Sequence, residues 1–191
     1  FYRQSLAISV KEKDSVNITV AYNNLGSTAF AKGDFVDAAN YFMLTLKMSE
    51  QINYNHLRGI ALENIGNVYY YQKDYNRSLN YARQSLQVRQ ADKDEEDFVS
   101  ISLKLIGMNY TGLKKYDSSK KYFDAGLAMC RRFGDKSGEA IILTNYASMF
   151  SYQKDYDKAV EYALNAKSIW DEVDPNFETA LENTAALGSY Y

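Results

Sequence analysis

A single proline, Pro175, stands among 191 residues. Proline breaks helices and is common in loop-rich folds, so its scarcity points to a chain that is helical almost throughout. Only 10 residues are glycine. The lone cysteine, Cys130, excludes a disulfide within the chain, and with it a disulfide scaffold. It lies in an apolar helical context, where a small buried hydrophobe is the expected role. The lone histidine, His56, leaves no Cys/His set for zinc. No apolar run approaches the ~18 residues needed to span a bilayer, and no signal peptide opens the chain. No membrane contact is therefore expected of this fragment. The opening Phe1-Tyr2-Arg3 has no initiator methionine and starts in mid-pattern, as a piece cut from a longer protein would.

An excess of one charge is also lacking. The 22 basic and 24 acidic residues are interspersed and leave a formal net charge of −2. Nothing suits a polyanion, so nucleic acid is not an expected partner. The longest charged cluster, Asp92-Lys93-Asp94-Glu95-Glu96-Asp97, is expected just before or in the first turn of a helix, where the macrodipole favours acid.

What is present is apolar and aromatic. Hydrophobic residues make up 46% of the chain, enough for a packed core, and 18 are tyrosine. Tyrosine suits half-buried surface, where the ring packs inward and the hydroxyl stays wet.

A repeat organises these residues. Ala21-Tyr22-Asn23-Asn24-Leu25-Gly26, Ala61-Leu62-Glu63-Asn64-Ile65-Gly66, Ser102-Leu103-Lys104-Leu105-Ile106-Gly107 and Leu143-Thr144-Asn145-Tyr146-Ala147 align without gaps, and Asn183-Thr184-Ala185-Ala186-Leu187-Gly188 follows. The small residue falls at 26, 66, 107, 147 and 188, a spacing of 40, 41, 40 and 41. Each full copy runs into a turn: Lys32-Gly33-Asp34-Phe35, Lys73-Asp74-Tyr75, Lys115-Tyr116 or Lys154-Asp155-Tyr156. Gly33 suits the left-handed residue that ends a helix. Asp34, Asp74 and Asp155 suit the N-cap of the next helix, whereas Lys115 makes a weaker one. A second apolar period then follows, as in Ala38/Tyr41/Phe42/Leu46. Each unit thus reads as helix A, tight turn, helix B. The expected array is residues 17–53, 57–92, 97–133 and 137–173, preceded by a B helix at 1–13 and followed by an A helix at 176–191.

Leu62-x-x-Ile65-Gly66-x-x-Tyr69 with Ala82, and Leu103-x-x-Ile106-Gly107-x-x-Tyr110 with Phe123, resemble the tetratricopeptide repeat. The usual tryptophan of helix A is replaced by Tyr22, Leu62, Leu103 and Leu143, and the period is about 40 instead of 34. The longer unit is similar to the repeats of kinesin light chains, bacterial Rap regulators and modules attached to bacterial sensor kinases. The resemblance implies an all-α fold, a right-handed superhelix of antiparallel helix pairs, and a role in holding a protein or peptide, with no enzymatic activity and no cofactor.

In such superhelices one face of the A helices lines a concave groove. Here that face reads Asn23/Ser27/Phe30, Glu63/Asn67/Tyr70, Lys104/Met108/Thr111 and Thr144/Ser148/Ser151. It is neutral and polar, and Phe30, Tyr70 and Tyr71 add apolar pockets. Beside it runs a column of Asn24, Asn64 and Asn145, interrupted by Leu105. In kinesin-light-chain-like repeats such an asparagine often grips a peptide backbone. It can equally bond to a neighbouring helix and set the repeat spacing. Only Lys104 would face the groove as a cation, which disfavours an acidic C-terminus as ligand. His56 is expected in a solvated or capping role at a connection between units. No nucleophile and base converge with it, so no catalytic residue and no metal ligand is assigned. A competing reading is self-assembly, a homodimer formed through exposed terminal helices.

Overall fold

The computed structural model describes residues 14–173, and every regular element among them is helical. The elements are α1 (Ser15–Ala31), α2 (Phe35–Gln51), α3 (Asn55–Tyr71), α4 (Tyr75–Ala91), a 3₁₀ helix (Lys93–Phe98), α5 (Val99–Gly112), α6 (Tyr116–Phe133), α7 (Lys136–Tyr152) and α8 (Tyr156–Val173). They pair consecutively into hairpins, an all-α repeat. The B helix expected at 1–13 and the A helix expected at 176–191 lie outside the described residues. The chain divides into two compact units, one ending at Tyr122 and one beginning at Phe123.

The turns repeat with atomic regularity. At the end of α1, Gly33 N–H donates to Phe30 C=O and Asp34 N–H to Ala29 C=O. The same pair of bonds closes α3 through Lys73 and Asp74, and α5 through Lys114 and Lys115. Such a closure needs one left-handed residue. Gly33 supplies it at φ 77°, but Lys73, Lys114 and Lys154 also adopt it, at φ 60°, 58° and 63°. Only one of the four positions therefore carries the glycine that betrays the motif in sequence. The N-caps follow the expectation. The carboxylates of Asp34, Asp74 and Asp155 accept from the backbone N–H of Asp37, Arg77 and Lys158. Asp14 and Asp135 cap α1 and α7 in the same way.

Within the first unit the hairpins stack through their small-residue column. Gly26 admits the ring of Phe42, since a Cβ there would stand 2.6 Å from it. Phe42 and Ala38 of α2 then pack against Ile65 and Val68 of α3. Leu79 and Ala82 of α4 meet Leu105 and Ile106 of α5 in the corresponding way. These side chains are essentially solvent-free, and each fully buried Leu, Ile or Phe contributes roughly 1.5–3 kcal/mol.

The second unit uses an aromatic instead. Tyr146, in the column of Ile65 and Ile106, stacks on Tyr162 at 4.7 Å between centroids and meets Phe123 at 5.1 Å. Its hydroxyl donates to Asp124. Burial and that carboxylate push the phenol above its ordinary range. Cys130 is buried, as expected, with its Sγ 3.9 Å from Asp135 Oδ2.

Candidate peptide-binding face

In the first unit α1 lies beside α3 and α3 beside α5. The residues singled out from the sequence on α1, α3 and α5 therefore lie on neighbouring helices. Asn23 and Asn64 meet directly: the Asn64 amide donates to Asn23 Oδ1 at 2.9 Å. This bond ties neighbouring hairpins together, the spacing role open to that column. Asn24 and Asn67 are half-buried, and their side-chain amides have no hydrogen-bond partner among the described residues. Both amides remain able to bond a further group. Ser27 faces solvent with its hydroxyl turned back onto Asn23 C=O.

Aromatic rings flank these amides. Phe30 meets Tyr71 edge-on at 5.2 Å, Tyr71 meets Tyr70 at 5.6 Å, and Tyr70 meets Tyr75 at 5.7 Å. Met108 and Tyr70 pack against the Leu79/Ala82/Leu105/Ile106 cluster, so they form an apolar floor. Thr111 is buried, its hydroxyl 2.7 Å from that of Ser119. It braces the third hairpin and presents nothing to the face.

The charges behave differently from isolated groove residues. Glu63 accepts from Arg89 Nη2 at 3.2 Å, and Arg89 is only 1% exposed. Burial pushes the Glu63 carboxyl above its usual range, against the pull of Lys104 and Arg89. The opposite side of Arg89 reaches Glu95 at 3.6 Å, and His56 Nδ1 lies 2.8 Å from the other Glu95 oxygen. Phe98 meets the His56 ring at 5.0 Å and lies 5.4 Å from the Arg89 guanidinium carbon. A polar chain thus runs from Glu63 on this face, through the buried Arg89 and Glu95, to the part-exposed His56.

Two expectations change here. His56 is 33% exposed, and instead of capping a helix its Nδ1 meets the buried Glu95 carboxylate. The acidic run does open with a helix cap, Asp92 accepting from Asp94 N–H. Its Glu95, however, is buried and paired, because the 3₁₀ geometry turns it inward. Arg89 itself was missed: a charged residue on an otherwise ordinary B helix. The available signal was Gly59, where a Cβ would stand 3.2 Å from Arg89 Nε.

In the second unit Thr144, Ser148 and Ser151 are exposed and Asn145 is half-exposed. Thr144 and Asn145 bond to the carbonyls of Ala140 and Ile141, and Ser148 to that of Thr144. That surface is polar, uncharged and largely self-satisfied. Among the described residues no group of three His, Cys, Asp or Glu side chains is placed to hold a metal ion. No described helix is long and apolar enough to cross a membrane.

Comparison with known proteins agrees with this geometry. No curated relative matches the chain by sequence. A crystal structure of BtubC (BKLC) from P. vanneervenii superposes with a TM-score of 0.72 at 20% identity, covering 91% of this chain and 72% of that one. The Rap conjugation gene regulator of plasmid pLS20, solved with the Phr* peptide, gives 0.72 at 16% identity. The match covers 90% of this chain but only 48% of the regulator, so this chain spans about half its length. A kinesin-light-chain-like protein of Podosopora anserina gives 0.65 at 10% identity, covering 91% and 85%. At these identities the likeness is one of fold. The family model described as tetratricopeptide repeat matches residues 17–91 and 97–172, most of the sequence. With its hairpins, small-residue column and left-handed turns, the chain belongs to the tetratricopeptide repeat family.

Proposed function

We propose that this chain is a binding scaffold, and that the α1/α3/α5 face of its first unit holds an extended peptide. The carrying observation is the pair of half-buried amides, Asn24 and Asn67, without a hydrogen-bond partner among the described residues, on helices that also carry the Asn23–Asn64 bond and the Phe30/Tyr71/Tyr70 rings. An amide offers a donor and an acceptor to a peptide unit, and rings beside it take apolar side chains. The face is neutral in effect: Glu63 is tied to Arg89, leaving Lys104 to balance it. A chain with apolar and neutral polar side chains fits it better than a strongly acidic one. The pLS20 Rap regulator, of similar fold, was solved with a peptide, which supports the reading.

Under the same proposal, residues 17–53, 57–92, 97–133 and 137–173 are successive repeats of a sensory or scaffolding segment in a larger regulator of bacterial type. Thr144, Asn145, Ser148 and Ser151 form the corresponding, more weakly binding face of the last repeat. Fluorescence anisotropy against a library of labelled neutral peptides tests the site. The double variant Asn24→Ala/Asn67→Ala should weaken the best binder by at least tenfold with an unchanged melting temperature. Undiminished affinity in that variant would remove the face from consideration.

A further inference from the structure

The polar chain of the first unit does not balance its own charge. One guanidinium, Arg89, serves two carboxylates, Glu63 at 3.2 Å and Glu95 at 3.6 Å. Arg89, Glu63 and Glu95 are only 1%, 13% and 6% exposed, so water screens the surplus negative charge poorly. The middle link is the slack one: Arg89 Nη1 and Glu95 Oε2 are buried, and neither has a hydrogen-bond partner. His56 closes the outer end, 2.8 Å from Glu95. The surrounding helices do not supply the missing charge from within. On α1 there is no charged residue. On α2, Asp37 and Lys47 are exposed and Glu50 pairs with Arg58 of α3. On α4, Arg77 is held by Asp74 and Arg83 by Tyr110. On the 3₁₀ helix, Lys93, Asp94 and Asp97 are exposed and Glu96 is half-buried, while Asp92 before it accepts from Asn55. From α5, the half-buried Lys104 pulls on Glu63 through space.

A histidine ordinarily changes charge between roughly pH 5 and 8, and a buried carboxyl can hold a proton in its place. The chain therefore offers two seats for one compensating proton. We propose that His56 and Glu63 bind protons against one another along this chain, so that the state of His56 sets how readily Glu63 ionises. A proton on His56 ties Glu95 to the imidazolium and leaves Arg89 to Glu63, which stays a carboxylate. Loss of that proton makes Arg89 serve both acids, and Glu63 then keeps its own proton to higher pH. Direct attraction acts in the same sense. The two residues stand at 56 and 63 on α3, roughly 10 Å apart along the helix. At that distance one charge moves the midpoint of the other by about one pH unit. A carboxylate only accepts hydrogen bonds, whereas a neutral carboxyl also donates one. The α1/α3/α5 face thus changes its hydrogen-bonding character with a residue at the far end of the chain. The proposal stands independently of peptide binding, because it is read on the protein alone.

Carbon-13 NMR of the carboxyl and imidazole groups in the full chain tests it. The Glu63 carboxyl signal, identified by its loss in Glu63→Gln, is followed against pH. In His56→Gln, which keeps a hydrogen-bonding group without the charge, its midpoint should rise by about one pH unit. In His56→Lys, charged throughout, it should stay at or below the wild-type value. By linkage, Glu63→Gln should lower the His56 imidazole midpoint by a similar amount. That second arm decides the matter even where the His56 variants fail to fold. Arg58→Gln removes a cation nearer to Glu63 in sequence but outside the chain, and should leave the Glu63 midpoint in place. A Glu63 midpoint unmoved in His56→Gln, or an imidazole midpoint unmoved in Glu63→Gln, would overturn the proposal. An equal rise in Arg58→Gln would also overturn it, by tracing the effect to surface charge in general.

Discussion

The two hairpin junctions of the first unit begin from the same columns and end differently. Between α2 and α3 the chain turns through Ile52-Asn53-Tyr54, with Asn53 left-handed at φ 52°. That junction is apolar: Ala38, Phe42, Ile65 and Val68 close on one another. Between α4 and α5 the chain makes a 3₁₀ helix instead. There the apolar set of Leu79, Ala82, Leu105 and Ile106 is joined by the Glu63–Arg89–Glu95–His56 chain, buried at Arg89 and Glu95. The connection explains the difference. The three-residue turn carries no charged side chain, whereas the 3₁₀ helix drops Glu95 and Phe98 onto Arg89. A dry apolar contact resists burial changes by volume; a buried ion chain resists them by charge. The second junction should therefore tolerate replacement of its whole polar set far better than loss of one member.

That contrast sets the expected sizes of effect. The largest is Arg89→Ala, which strands Glu63 and Glu95 in the interior and should cost roughly 3–5 kcal/mol in urea unfolding. Replacing Arg89, Glu95 and Glu63 together by Met, Leu and Gln should restore most of that loss. A triple variant no more stable than Arg89→Ala would mean the chain is not the ion cluster described. At the apolar junction, Ile65→Ala should cost roughly 2–5 kcal/mol through lost burial and an unfilled cavity. There a second substitution at Val68 should deepen the loss, never repair it.

Next comes Gly59→Val, which sets a branched side chain against Arg89 and should cost roughly 1–3 kcal/mol. The cost should shrink sharply in the triple variant, where Met can yield. If it persists unchanged, the clash lies with something other than Arg89.

The pH dependence separates the helix caps from the buried Glu63 by sign. Asp14, Asp74 and Asp155 are held below their ordinary range by hydrogen bonds to Asn17, Arg77 and Lys158. Their folded values lie below the unfolded ones, so their stabilisation is present above the unfolded value and lost as pH falls through the folded one. Glu63 runs the other way. Burial raises its folded value, so its contribution is present below the unfolded value and lost as pH rises through the folded one. Urea midpoints from about pH 2 to 7 should fall toward acid in wild type. Glu63→Gln, neutral throughout, should gain on wild type as pH rises; a constant difference between the two would contradict the raised carboxyl. The smallest expected effect is at the turns. Lys73→Gly relieves a left-handed lysine worth roughly 1–2 kcal/mol, partly offset by glycine's freedom in the unfolded chain. A net gain of about 0.5 kcal/mol in thermal unfolding is expected.

The repeat was legible because it is one-dimensional. Gly26, Gly66, Gly107 and Ala147 recur with the aspartate caps at fixed offsets, and local rules of helix start and stop act on near neighbours in the chain. The left-handed lysines at 73, 114 and 154 were not legible, since lysine has no preference for that conformation; the closing bonds impose it. The proposed face was legible as a row of residues but not as chemistry. Asn64 and Asn67 look alike in sequence, yet one is spent on Asn23 and the other has no partner. Thr111 sits in the same column as Tyr70 and is consumed by Ser119.

Helix A, turn, helix B, the columns that stack and the family they belong to were thus determined by sequence alone, because each depends on contacts a few residues apart repeated four times. Which polar groups remain free, and that Arg89, Glu95 and His56 share one interior chain, only the tertiary structure decided. Those partners lie up to about forty positions apart, and their pairing depends on how the α3/α4 hairpin meets the 3₁₀ helix over one buried guanidinium.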